Sequence, residues 1–117
     1  MKKTNFEKAC AKLGIAPTLP GVDGLAEADA KSILADYQLS KIADATGKRT
    51  KNFSDGKLKY TAWLVWSPAS GCFVLDDTAC TITGTDLGAR LWFTDEPTAR
   101  KFFTENADMV NDLHQGE

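Results

Sequence analysis

The residues best suited to do chemistry in this chain lie close together: Lys48, Arg49, Lys51, Lys57 and Lys59, interleaved with Phe53 and Tyr60. Cations at such spacing can neutralise phosphates while aromatic rings stack on bases, which is the footprint of single-stranded nucleic-acid binding. Against this stands a formal net charge of -2, which opposes non-specific binding to a polyanion. A solvated, lysine-rich loop is the simpler account of the stretch. Lys48, Arg49, Lys51, Phe53, Lys57 and Lys59 are carried forward as candidate contacts to nucleic acid or to a protein partner.

Other reactive side chains do not assemble into a known catalytic pattern. The single histidine, His114, sits three residues before the last. General acid–base work needs a side chain held within hydrogen-bond reach of its target, and any Ser-His-Asp or Cys-His scheme would depend on this one residue. Cys72 and Cys80 flank a predicted turn, but two thiolates are not four zinc ligands, and neither C-x-x-C nor H-E-x-x-H occurs. Asp76 and Asp77, with Asp86 nearby, lack the spacing of an EF-hand loop and are expected to form turns. Gly84-Thr85-Asp86-Leu87-Gly88 lacks the Lys-Ser/Thr ending of a phosphate loop. The expectation is a protein that is not an enzyme, with no catalytic residues, no metal and no cofactor.

At 117 residues and 12.7 kDa the chain fits one domain spanning 1–117, with a mobile tail over 114–117. Hydrophobic residues make up 43% and charged residues 26%, which excludes collagen-like, coiled-coil and wholly disordered classes. An odd number of cysteines, Cys10, Cys72 and Cys80, agrees with a reducing compartment and with thiols that serve as small core hydrophobes. Thr4-Asn5-Phe6-Glu7-Lys8 stands where a secretory signal would need an apolar run, so the expected location is cytoplasmic. The longest apolar run, Ala62 to Trp66, is far too short for a membrane span. Charge divides unevenly: residues 1–60 carry 11 basic and 7 acidic side chains, residues 61–117 carry 3 and 9. The acidic half offers no regular charged stripe that would imitate nucleic acid.

These residues must be held by regular elements. Thr4-Asn5-Phe6-Glu7 is a capping box, followed by an apolar stripe at Phe6, Ala9, Cys10 and Leu13 and a stop at Gly14. A loop over 16–21 separates this helix from a second, from about Ala26 to Thr46, whose buried face is predicted to include Ala30, Ile33, Leu34, Tyr37 and Ile42. After Gly47 comes a polar connection to Lys57, the longest expected loop. Leu58 to Trp66 has β-rich composition with apolar residues on both faces, as a central strand would. Cys72–Leu75, Ala79–Thr83 and Arg90–Thr94 are three further strand candidates, arranged as an antiparallel meander. A last helix is expected to start at Thr94-Asp95-Glu96-Pro97, with a Thr94 hydroxyl cap and a stripe at Ala99, Phe102, Phe103, Met109, Val110 and Leu113, fraying after Leu113.

Lys59-Tyr60-Thr61-Ala62-Trp63 and Gly88-Ala89-Arg90-Leu91-Trp92-Phe93 resemble motifs of a group of small proteins of uncharacterised function found in Bacteroidetes genomes and their phages or prophages. Tyr37-Gln38-Leu39-Ser40-Lys41-Ile42 matches a helix pattern of that group, Asn52, Phe53 and Asp55 fit its loop, and Ala99 with Phe103 fits its final helix. The resemblance spans roughly residues 17–113. In the loop this chain departs from the group: Lys48, Arg49 and Lys51 replace a tryptophan- and asparagine-rich composition. The resemblance implies a phage or mobile-element origin and a shared fold, and carries no activity, cofactor or catalytic residue with it.

The expectation is therefore an α+β fold: two N-terminal helices, an antiparallel sheet of three or four strands, and a C-terminal helix packed on the sheet. The expected function is that of a non-catalytic accessory protein acting through protein–protein contact or self-association, suggested by the aromatic residues Trp63, Trp66 and Trp92. The alternative is a nucleic-acid-binding accessory protein that uses residues 48–60.

Overall fold

The structure is a computed structural model that describes residues 3–50, 55–81 and 91–115, with the backbone alone for His114 and Gln115. In chain order the elements are α1 (Asn5–Leu13), α2 (Glu27–Ala45), β1 (Arg49–Thr50), β2 (Lys59–Ser67), β3 (Cys72–Thr81), β4 (Trp92–Phe93), α3 (Glu96–Glu105) and α4 (Ala107–Gln115). The class is α+β, as expected. The chain forms two compact units, one from Met1–Ala45 with Asn106–Glu117 and the other from Thr46–Glu105.

The first unit is helical. Glu7 N–H donates to the Thr4 hydroxyl (3.1 Å) and Thr4 N–H donates to the Glu7 carboxylate (2.9 Å), so the capping box forms as predicted. Gly14 ends α1 at φ 72°, a left-handed conformation that would strain most other residues. Phe6, Ala9 and Cys10 are buried, and the Phe6 ring meets Tyr37 of α2 edge-on at 6.1 Å. Leu13, the last residue of the predicted stripe, is exposed.

The buried face of α2 differs from the prediction. Ala35, Leu39 and Ala43 form the buried seam, while Ile33 is 42% exposed and Ala30, Leu34, Tyr37 and Ile42 are only partly covered. The reason is packing on two sides: α2 meets both α1 and α4. Small alanines at i and i+8, on either side of Leu39, let neighbouring helices approach closely, whereas ranking positions by side-chain size points to the bulkier flanks.

The predicted C-terminal helix is two helices. Asn106 interrupts the stripe at a position that is 4% exposed, where a polar side chain must find partners. Its Oδ1 accepts from Asn5 Nδ2 at 3.1 Å, and its backbone carbonyl accepts from Val110 N–H, opening α4. Ser32 Oγ donates to the Leu113 carbonyl at 3.1 Å, and Lys31 pairs with Asp112 at 3.4 Å, which fixes α4 along α2. The helix continues to Gln115, past the predicted fraying point at Leu113; residues 116–117 of the expected tail lie outside the described residues.

Among the described residues of the second unit four strands form one antiparallel sheet in the order β1-β4-β2-β3. The expected central position of β2 is observed. The order is not a meander, because β4 pairs with β2, setting Phe93 opposite Tyr60, and not with β3. β1 lies within the stretch expected to be a loop: Arg49 faces Phe93, Thr50 faces Trp92, and Thr94 N–H donates to the Lys48 carbonyl. Two residues of basic and polar type carry no strand signal, and only the pairing with β4 makes them one.

β3 unites two predicted strands. Asp76 and Asp77 lie inside it, where Trp63 pairs with Asp77 and Leu64 with Leu75, leaving Asp76 as the extra residue of a β-bulge. The expected turn at these aspartates is thus a bulge. Ile82 and Thr83, and the glycine loop 84–88, lie outside the described residues.

α3 packs on the sheet, as predicted for the C-terminal helix. Its N-cap is Asp95 and not Thr94: the Asp95 carboxylate accepts from Thr98 N–H at 3.0 Å, and a carboxylate also complements the positive end of the helix dipole. Phe93 of β4 sits 5.0 Å from Phe102 and 6.1 Å from Phe103, and those two rings stand 5.1 Å apart in an edge-to-face arrangement. Phe93, Phe102, Phe103, Ala99 and Trp92 are all buried.

Candidate functional site

The structure divides the basic stretch among unlike environments. Lys48 is exposed just before β1, and Lys57 is exposed at the approach to β2. Arg49 is half-buried in β1, with its Nη2 shielded from solvent. Lys51 and Phe53, with Asn52, lie outside the described residues. Tyr60 is partly covered in β2.

Lys59 is placed where it cannot meet a phosphate. Its side chain is 1% exposed, and its ammonium donates to Asp55 Oδ1 at 2.6 Å and to the Lys57 carbonyl at 2.8 Å. Asp55 also accepts from Lys57 N–H at 3.0 Å. Lys59 thus ties the Asp55-Gly56-Lys57 turn to the start of β2, and its charge is used inside the protein. The composition of the stretch gave no sign of this, because Lys59 looks like any lysine of a solvated run until the strand alternation turns it inward.

The three tryptophans separate in a second way. Trp92 is buried, whereas Trp63 is 60% exposed and Trp66 is 50% exposed on β2. Trp66 stands edge-on to Phe73 of β3 at 5.4 Å, its directly opposite partner in the ladder. Val74 of β3 and Leu58 ahead of β2 are also exposed. The hairpin turns at Ser67-Pro68-Ala69-Ser70-Gly71, where Gly71 N–H donates to the Ser67 carbonyl at 2.8 Å and Gly71 takes a φ of 67°. A turn of hairpin length was expected there. The sequence left these tryptophans open between core and interface, and could not tell the two exposed ones from the buried third.

Cys72 and Cys80 do not come together. Cys72 and Cys80 lie near opposite ends of β3, and at about 3.3 Å per residue a strand keeps such positions more than 20 Å apart. Cys10 is buried, as a core thiol would be, but Cys80 is exposed; all three are free. Among the described residues no group of three or more His, Cys, Asp or Glu side chains could hold a metal ion. No helix among them is long and apolar enough to cross a membrane.

Among the described residues four carboxyls are held below their usual range by hydrogen bonds to the charged form. They are Asp55, through the Lys59 ammonium and then the Lys57 N–H; Asp77, through the Thr78 N–H and the Arg100 guanidinium; Asp95, through Thr98; and Glu7, through Thr4. Each binds its proton less tightly folded than unfolded. Their contribution to stability is therefore complete above the unfolded value of about 4 and is lost as pH falls through the depressed folded values. Urea midpoints are expected to be level between about pH 7 and 5 and to fall steeply below about pH 4. A midpoint that stays level through that acid range would contradict these assignments.

No protein-family model matches the chain, and searches of curated proteins and of solved structures return no match.

Proposed function

We propose that the protein is a non-catalytic accessory protein that acts through protein–protein contact, with the β2–β3 hairpin as its contact element. The observation that supports this is the exposure of Trp63 and Trp66 on one hairpin. Tryptophan offers a large apolar face with a polar N–H, is enriched at the cores of interfaces, and supplies many of their dominant contacts. Two such side chains left in water on a strand are better explained by a partner than by stability. The resemblance of the Lys59–Trp63 and Gly88–Phe93 motifs to phage and prophage proteins of Bacteroidetes is the ground for placing that role in a phage or mobile element.

Affinity capture from a host lysate tests this reading, using the natural chain beside a Trp63→Ser/Trp66→Ser variant. Protein partners that survive nuclease treatment and disappear with the variant support it. Capture that is unchanged by the variant rejects the hairpin, and partners lost on nuclease treatment favour nucleic-acid binding through Lys48, Arg49, Lys51, Phe53 and Lys57 instead.

A further inference from the structure

We infer that Asp23-Gly24 is a site of spontaneous aspartyl-to-isoaspartyl conversion, and that the chain's other Asp-Gly pair, Asp55-Gly56, is held against the same reaction by the Lys59 ammonium. This chemistry is independent of the contact role proposed for the hairpin.

The reaction follows from covalent geometry. The glycine backbone nitrogen attacks the side-chain carboxyl carbon of the preceding aspartate; a new N–C bond forms, and the carboxyl hydroxyl leaves with the amide hydrogen as water. Water then opens the cyclic imide. Breaking its bond to the side-chain carbonyl restores aspartate, whereas breaking its bond to the main-chain carbonyl gives isoaspartate, with the chain running through the side chain and a carboxylate on Cα. Water leaves and water returns, and nothing is oxidised or reduced. Glycine favours the step because no side chain shields its nitrogen and its backbone turns freely. The aspartate must meet two conditions: a carboxyl in its acid form, since a carboxylate resists nucleophiles, and freedom to rotate onto the nitrogen.

In sequence the two pairs are equivalent, and their glycines stay so in the structure. Gly24 and Gly56 take φ of 84° and 73°, and at neither would a Cβ meet an atom within 4 Å. The aspartates differ. Asp23 is exposed between α1 and α2, in a turn spanned by a backbone bond from Leu25 N–H to the Val22 carbonyl at 3.2 Å. Among the described residues no hydrogen bond or ion pair engages its side chain. Asp55 Oδ1, by contrast, accepts from the Lys59 ammonium at 2.6 Å and from Lys57 N–H at 3.0 Å. Both bonds must break before this carboxyl can turn onto Gly56, and both favour its ionised form, Lys59 the more strongly.

The latch covers the position where conversion would cost more. An isoaspartyl link at 55 lengthens the turn by a carbon and draws the carboxylate back onto Cα, out of the place from which it meets Lys57 N–H and Lys59 together. The buried ammonium would lose this carboxylate. At position 23 no ion pair depends on the side chain, and an exposed connection absorbs the added carbon. Isoaspartate also presents the carboxylate that isoaspartyl methyltransferases esterify, so position 23 is where an enzyme of that class would act.

Ageing the full chain in neutral buffer tests this. Proteolysis and electron-based fragmentation then read each site separately, and labelling by an isoaspartyl methyltransferase with a tritiated methyl donor gives a second measure. In the folded natural chain isoaspartate is expected at position 23 at least about tenfold faster than at 55, with the two rates converging in urea. Lys59→Met, folded by circular dichroism, is expected to raise the rate at 55 at least about threefold and to leave that at 23 unchanged. Should it unfold, Lys59→Gln, which keeps a donor without the charge, takes its place. No isoaspartate at 23, or equal rates at the two sites of the folded chain, overturns the inference. A rate at 55 that loss of the Lys59 charge leaves unchanged overturns the latch.

Discussion

Truncating Phe93 to alanine is expected to lower the stability of the protein by about 3 to 5 kcal/mol, the range for large aromatic side chains removed from a well-packed core. Phe93 is 0% exposed and lies between Phe102 and Phe103, each of which also touches the other. Two costs combine: the apolar area is no longer removed from water, and the cavity cannot be closed by a helix whose own rings are fixed by each other. β4 adds to the effect, because it is only two residues long and makes its sheet contacts through Arg49, Thr50 and Tyr60. Such a strand is held by its side chains more than by its ladder. Against a typical total of about 5 to 15 kcal/mol, this loss leaves a marginal fold. Urea denaturation with intrinsic fluorescence measures it. Trp63→Ala is the control, since a residue 60% exposed has little burial to lose and should shift the midpoint slightly. A Phe93→Ala cost below about 1 kcal/mol would show that the ring cluster is not the centre of this core.

The parts of the fold that were legible in the sequence are those written in local chemistry. The Thr4/Glu7 box and Gly14 set both ends of α1 because the partners are within one turn of each other. The strand from Lys59 to Ser67 was legible because its apolar residues fall on both faces, a mark of the central position it occupies. What escaped depends on distant partners. β1 exists only because β4 lies beside it, and Asp76 is a bulge and not a turn only because β2 continues past it. Asn106 breaks the last helix in company with Asn5, a residue 101 positions away. Of the candidate site, the aromatic signal was readable and its division was not: Trp63, Trp66 and Trp92 are alike in composition, and burial alone separates them. The basic stretch misled in the same way at Lys59, where charge suggested a surface and alternation set the side chain inside.

That buried lysine carries the second large effect, and the two ways of breaking its ion pair are expected to differ in sign. Asp55→Ala removes the carboxylate 2.6 Å from the Lys59 ammonium and leaves a cation at a site that is 1% exposed. An ammonium shielded from water that loses this carboxylate is destabilised, since its desolvation cost remains after that Coulombic gain has gone. The Lys57 carbonyl still accepts, but a neutral dipole does not replace a charge. Lys59→Met has the opposite logic. It fills a similar volume with an unbranched apolar chain, removes the buried charge altogether, and leaves Asp55 near solvent, where a carboxylate is readily hydrated. The thermal midpoint of Asp55→Ala is expected to fall clearly below that of the natural chain, while Lys59→Met stays level or rises. Acid tests the same pair: the part of the acid-induced loss that comes from Asp55, whose proton affinity Lys59 depresses, should be reduced in Lys59→Met and absent in Asp55→Ala. Equal losses in the two variants would mean that the pair acts as an ordinary surface salt bridge, worth little on either side. The asymmetry also bears on function, because a lysine that can be replaced by methionine without loss of fold or of partner capture is one whose charge was never available to a phosphate.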